Sequence, residues 1–279
     1  MDRNFPGDVR GAGPAVTPGF SPDWLTLRES ADAAARAADL LDPLLAALPD
    51  TSLVVHDLGC GTGSMARWLA PLLPQPQRWV LHDRDPGLLA RAAANVGVPA
   101  EIRAGDLTEL TARDLEGASL VTASALLDLL TAEEVDALAE ACTGAGCPAL
   151  LTLSVAGEVG FTPPDPLDAE FSAAFNEHQR RVTGGRRLLG PDAAEAATAA
   201  FVRRGAVVHR RDSAWHLRPD ELFRQWLRGW VQAACEQRPE LLPHAADYQR
   251  RRLHAEVVVG HVDLLAIGGA PCSTDSGPG

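Results

Sequence analysis

Short apolar runs alternate with helical stripes along the chain. Residues 53–55, 79–82, 100–104, 119–123 and 149–155 are brief runs rich in apolar or β-branched side chains. Residues 53–55 suit a strand buried on both faces of a parallel sheet and 149–155 a fifth, buried strand, with the other three runs read as the strands between them. Helical spacing fills the gaps. Ser21-Pro22 opens a stripe through Trp24, Leu27, Ala31, Ala34, Ala38, Leu41, Leu45 and Leu48, with Pro43 expected to break or kink it. Ala66, Trp68, Leu69 and Leu72 predict a second helix, capped by Thr62 or Ser64, and Pro86 with Leu88 and Leu89 a third. Thr131 and Glu134 read as a capping box for a helix over 132–142. Further helices are predicted over 167–181, 191–203 and 219–236, with strands over 206–209 and 257–267. Phe223, Trp226, Leu227 and Trp230 share a side of the last helix and read as core rather than ligand box. Strand-helix alternation of this kind predicts an α/β fold with a mostly parallel sheet.

Candidate chemistry concentrates at D-L-G-C-G-T-G, residues 57–63. It directly follows the first strand and precedes a helix, which is the nucleotide-binding opening of a doubly wound sheet. Gly59, Gly61 and Gly63 permit positive φ and close approach of a ligand to the backbone. A dinucleotide fingerprint needs G-x-G-x-x-G. Counted from Gly59 its third glycine falls on Ser64; counted from Gly61 it falls on Ala66, which the relaxed form tolerates. Asp57, at the mouth of the turn, repels a pyrophosphate and attracts an ammonium or sulfonium.

This stretch resembles motif I of the class I S-adenosylmethionine (SAM)-dependent methyltransferases, whose acid and glycines hold the methionine end of SAM. HDRDPGLL resembles motif II, with Asp83 in the position that meets the ribose diol. Asp83 also falls near the roughly 20-residue offset at which a carboxylate reaches that diol; Asp85 competes for the role but suits a cap ahead of Pro86. G-D-L at 105–107 matches the family position where an Asp accepts from the adenine amino group. Asp57, Asp83 and Asp106 thus end three successive predicted strands. The resemblance implies a cofactor site of Asp57, Gly59, Cys60, Gly61, Gly63, Asp83, Arg84, Gly105, Asp106, Leu107 and Ser124. Arg28 or Arg36 on the N-terminal cover helix would meet the SAM carboxylate, and Arg28 is included in the site. The implied fold is a Rossmann-like, doubly wound, seven-stranded sheet, mostly parallel with an antiparallel last strand and helices on both faces. Residues 21–268 would form one methyltransferase domain, with 21–50 as cover helix, 157–190 as an acceptor lid, and disordered ends at 1–20 and 269–279.

On the acceptor side, Asp128 follows the fourth strand in an otherwise apolar stretch. Burial there would raise its pKa and suit it to take a proton. Phe171, Ala174, Phe175 and His178 share a face of the predicted lid helix, making His178 a second candidate base or orienting group. No N-P-P-Y or D-P-P-Y follows the fourth strand, which disfavours exocyclic-amine methylation of nucleic acid. The net charge of −12, with all 25 basic side chains arginine, also repels a phosphate backbone. Five scattered cysteines include no C-x-x-C, so neither a disulfide framework nor a zinc site is indicated. No apolar run reaches the ~18 residues that span a membrane, and no signal peptide is recognisable. The expectation is a cytoplasmic monomer or homodimer that methylates a small-molecule acceptor and binds neither nucleic acid, membrane nor metal. Two alternatives stay open: an NAD(P)-binding oxidoreductase, and a SAM-binding homologue without turnover.

Overall fold

The computed structural model describes residues 21–268; the predicted disordered ends lie outside them. In chain order the helices and strands are α1 (Pro22–Ala35), α2 (Leu41–Ala47), β1 (Leu53–Leu58), α3 (Ser64–Leu69), β2 (Gln77–Asp83), α4 (Pro86–Asn95), β3 (Ala100–Ala104), β4 (Leu120–Ser124), α5 (Ala132–Ala145), β5 (Ala149–Thr162), α6 (Asp168–Gln179), β6 (Val182–Thr183), β7 (Arg186–Arg187), α7 (Ala193–Arg203), β8 (Val207–Asp212), β9 (Trp215–Leu217), α8 (Glu221–Gln237), α9 (Leu242–Arg252) and β10 (Glu256–Ile267). None of these helices is long and apolar enough to cross a membrane.

The main sheet has the order β3-β2-β1-β4-β5-β10-β8, with β9 paired to the outer part of β10. It has eight strands rather than seven, because Trp215–Leu217 joins it. Strands β1 to β5 pair in parallel; β10 runs antiparallel to β5, β8 and β9. Adjacent residues face opposite layers. Leu120, Leu150 and Leu265 pack with α2, α3 and α4, whereas Val121, Leu151 and Leu264 pack with α5 and α7. Both faces of the central strands are therefore covered, whereas the edge strand β3 is exposed from Glu101 to Ala104. The chain reverses its order between β1 and β4, opening a crevice at their C-terminal ends where α/β sheets bind ligands.

Several expected boundaries move. Neither Thr62 nor Ser64 caps α3; Gly63, at φ 84°, occupies that position without a side-chain bond. The first helix ends at Arg36, before Pro43, and Pro43 instead lies in the first turn of α2, where its missing N–H is harmless. The insertion expected from residue 157 starts later, since residues 157–162 continue β5 against β10. This long two-strand extension, with β9, carries a third core in which Phe161, Phe171, Trp230 and Tyr248 pack together. Phe223, Leu227 and Trp230 are buried there, as the stripe on the helix predicted. Helix α6 also belongs to this aromatic core.

Candidate functional site

The crevice at the β1/β4 reversal is a cleft of about 1480 Å³ including its open mouth. Its floor is the glycine turn, with positive φ at Gly59 (64°), Gly61 (54°) and Gly63 (84°). Added methyl groups would meet Leu126 at 3.1 Å from Gly59, Leu25 at 3.2 Å from Gly61, and Val96 at 2.6 Å from Gly63. Gly59 and Gly61 line the cleft; Gly63 packs beneath it on α4. Left-handed strain and overpacking should together make Gly63→Ala about 2–3 kcal/mol less stable in urea titration. A change below about 0.5 kcal/mol would refute that account of the turn.

Three carboxylates reach the cleft from successive strand ends, each in a different environment. Asp57 is 1% exposed; its Oδ1 accepts from Thr122 Oγ1 at 2.8 Å, while Oδ2 is buried without a partner. Burial pushes its pKa up to about 7, opposed by the Thr122 bond and the Arg36 charge and reinforced by Asp83. Asp83 accepts from Gly61 N at 2.9 Å and from Asp85 N at 3.0 Å, so it braces the glycine turn while facing the cleft. Asp85 caps α4 through Gly87 N and Leu88 N. Asp106 Oδ1 accepts from the N–H and hydroxyl of Thr108 at 3.0 and 2.9 Å, and the N–H above all holds its pKa down. The cap and a place at the cleft coexist in this residue.

Cys60, Arg84, Gly105, Leu107 and Ser124 also line the cleft. Burial pushes the Cys60 thiol up, so this side chain fills space rather than acting as a nucleophile. Of the two arginines on the cover helix, Arg28 lines the cleft. It grips Asp32 through Nε at 2.9 Å and Nη2 at 3.1 Å, and lies 4.8 Å over the Trp215 ring. Arg36 sits below, 4% exposed, donating to Ser124 Oγ at 3.1 Å with Nε and Nη1 unpartnered. Burial lowers its pKa, against the charges of Asp32, Asp263 and Asp57.

The two candidate bases are not brought into the cleft wall. Asp128 lies in the turn after β4, between wall residues Leu126 and Leu129, but is not itself part of the lining. Its Oδ1 is buried without a partner, and burial raises its pKa to about 6 against the charges of Arg28 and Arg181. His178 sits on α6 behind the cleft residue Arg181 and is not part of the lining, its Nε2 3.2 Å from Glu236 Oε2 and its Nδ1 3.3 Å from Arg181 Nη1. The wall assigned to the lid helix comes instead from the β6–β7 hairpin, through Thr183 and Arg186, with Arg181 and Leu188 flanking it. V-T-G-G-R-R was the signal available, since Gly-Gly between two short runs marks a hairpin. Thr122, which holds Asp57, had no comparable signal.

A family profile described as a methyltransferase domain matches residues 55–145. No curated protein sequence matches the chain. Among solved structures, the YcgJ protein of Bacillus subtilis is 14% identical, with 84% of this chain and 100% of that one covered and a TM-score of 0.50. Magnesium protoporphyrin IX methyltransferase from Synechocystis, solved with S-adenosylhomocysteine, is 13% identical over 92% of this chain and 90% of its own, at a TM-score of 0.47. A SAM-dependent methyltransferase from Geobacter sulfurreducens, in complex with S-adenosylhomocysteine, is 17% identical over 88% and 98%, at 0.42. At these identities the likeness to YcgJ is one of fold. The matched segment, similar to a methyltransferase domain, contains the glycine turn and all three strand-end carboxylates.

Proposed function

We propose that the chain moves the methyl group of SAM to a small-molecule acceptor held in the same cleft. The unpartnered Oδ2 of Asp57 carries this reading. A buried carboxylate oxygen without a donor is unfavourable, and a cationic ligand supplies what it lacks. The residues present fit the cofactor. Asp57 would answer its positive charge, Asp83 its ribose hydroxyls and Asp106 its adenine amine, while the glycines leave room for it at the backbone. SAM brings an already activated methyl group, so the protein's task is alignment. Leu25 from α1 closes over the turn, and the leucines after β4 keep water from the acceptor side.

Calorimetry with SAM and with NAD separates this reading from nicotinamide chemistry, because only SAM should give heat. Asp83→Ala should weaken SAM at least tenfold, about 1.4 kcal/mol, and unchanged affinity would remove Asp83 from the ribose role. A SAM-binding protein without turnover is favoured by one observation, the absence of Asp128 and His178 from the cleft wall. Methyl transfer to a panel of amines, thiols, phenols and carboxylates, followed by release of S-adenosylhomocysteine, decides between them.

A further inference from the structure

The β6–β7 hairpin is fixed to the segment after β4. Leu189 N donates to Leu130 O at 2.9 Å, and Arg186 donates to both oxygens of Glu134 and to Leu129 O at 3.2 Å. Four arginines line the cleft: Arg28, Arg84, Arg181 and Arg186. Arg28 is paired with Asp32 and Arg186 with Glu134. Arg84 directly follows Asp83, the acid assigned to the ribose. Arg181 directly precedes β6; its carbonyl accepts from Leu188 N at 3.2 Å, next to the Leu189–Leu130 bond that ties the hairpin to the segment after β4. Among the described residues no carboxylate comes within 4.0 Å of it; its Nη1 donates to His178 O at 3.0 Å and lies 3.3 Å from His178 Nδ1, while Nε and Nη2 make no hydrogen bond. The cleft wall joined to the hairpin is apolar: Leu188 bonds to Arg181, Leu130 to Leu189 and Leu129 to Arg186, and all three leucines Leu129, Leu130 and Leu188 line the cleft.

A guanidinium held on a fixed hairpin, with donors free and leucines alongside, matches a planar anion joined to an apolar body. We propose that the methyl acceptor is an amphipathic carboxylate, its carboxylate bound by Arg181 and its apolar part lying on the leucine wall. This inference rests on the methyltransferase reading and names the substrate class of that same site.

The test is calorimetric titration of octanoate, octanol and octylammonium into the full chain, with and without S-adenosylhomocysteine. Octanoate should bind at least tenfold more tightly than either of the others. Arg181→Ala should abolish that preference, Arg181→Lys should retain part of it, and Arg187→Ala, on the exposed side of the hairpin, should leave it intact. If Arg181→Ala does not fold, Arg181→Gln removes the charge while keeping a donor for His178 O, with the same expectation. Equal binding of the three probes, or a preference that survives loss of the Arg181 charge, overturns the proposal. S-Adenosylhomocysteine titrated alone separates the two ideas. A chain that binds it without preferring octanoate keeps the methyltransferase reading and loses this site. One that prefers octanoate but binds no S-adenosylhomocysteine keeps an anion site and loses that reading.

Discussion

Asp57→Asn should weaken SAM about 100-fold, close to 2.7 kcal/mol, and at the same time stabilise the fold above neutral pH. Both effects come from one carboxylate that is 1% exposed and bonded only through Oδ1. Its folded pKa of about 7 lies above the ordinary 3.8. Between those values the unfolded chain releases a proton that the folded chain keeps, so stability falls as pH rises and levels off above 7. Asparagine keeps the acceptor for Thr122 and never ionises. Relative to the native chain it should gain about 2 kcal/mol between pH 5 and pH 8. Cofactor affinity in the native chain should run the other way and rise from pH 6 to 8, because a cation prefers the ionised carboxylate. Urea titrations and SAM calorimetry at three pH values measure both slopes. A flat stability difference would show that Asp57 titrates normally, and undiminished SAM binding by the variant would remove its charge from the site.

Asp263→Ala should cost about 3–5 kcal/mol, the range for stripping one member from a buried charged cluster. Asp263 is 1% exposed in β10, where the register with β5 shifts between Val262 and Leu264. Its Oδ1 accepts from Leu153 N at 2.7 Å and its Oδ2 from Ala37 N at 2.9 Å. Leu153 carries φ 57°, a left-handed conformation that a leucine holds only when its surroundings fix it. The Ala37 bond ties the break between α1 and α2 to the sheet, and so sets where Arg28 and Arg36 stand. Burial raises the Asp263 pKa, while Ser213, these two N–H groups and Arg36 oppose the rise. Removing the carboxylate leaves two buried N–H groups unpaired and takes a counter-charge from the Arg36 guanidinium. Asp263→Asn, with one acceptor oxygen, should lose less. Chemical denaturation of both variants is the measurement, and an alanine variant within about 1 kcal/mol of the native chain would refute the role.

The glycine-turn half of the cleft was legible because its signals are local. Asp57, Asp83 and Asp106 lie within two residues of their strands' ends, and a strand followed by a glycine turn can be recognised without its neighbours. Asp85 declared its cap through Pro86, and Thr131 and Glu134 form the capping box that their spacing predicts. The acceptor half was less legible. Phe171, Ala174, Phe175 and His178 do share one helix face, but periodicity does not say what a face packs against. Here it meets Trp230 and Tyr248 instead of a ligand. Likewise Asp128 stands between two leucines of the wall without joining it.

By itself the sequence determined the α/β alternation, the parallel strands with their covered faces, the glycine turn and the three acids at strand ends. Each of these depends on residues within one or two turns of each other. Only the tertiary structure decided that Asp57 keeps one oxygen unpaired, that Asp263 holds the cover helix, and that Arg181 faces the cleft while His178 does not. Those outcomes rest on partners dozens to hundreds of residues apart, joined by strand register and by burial, neither of which a local pattern encodes.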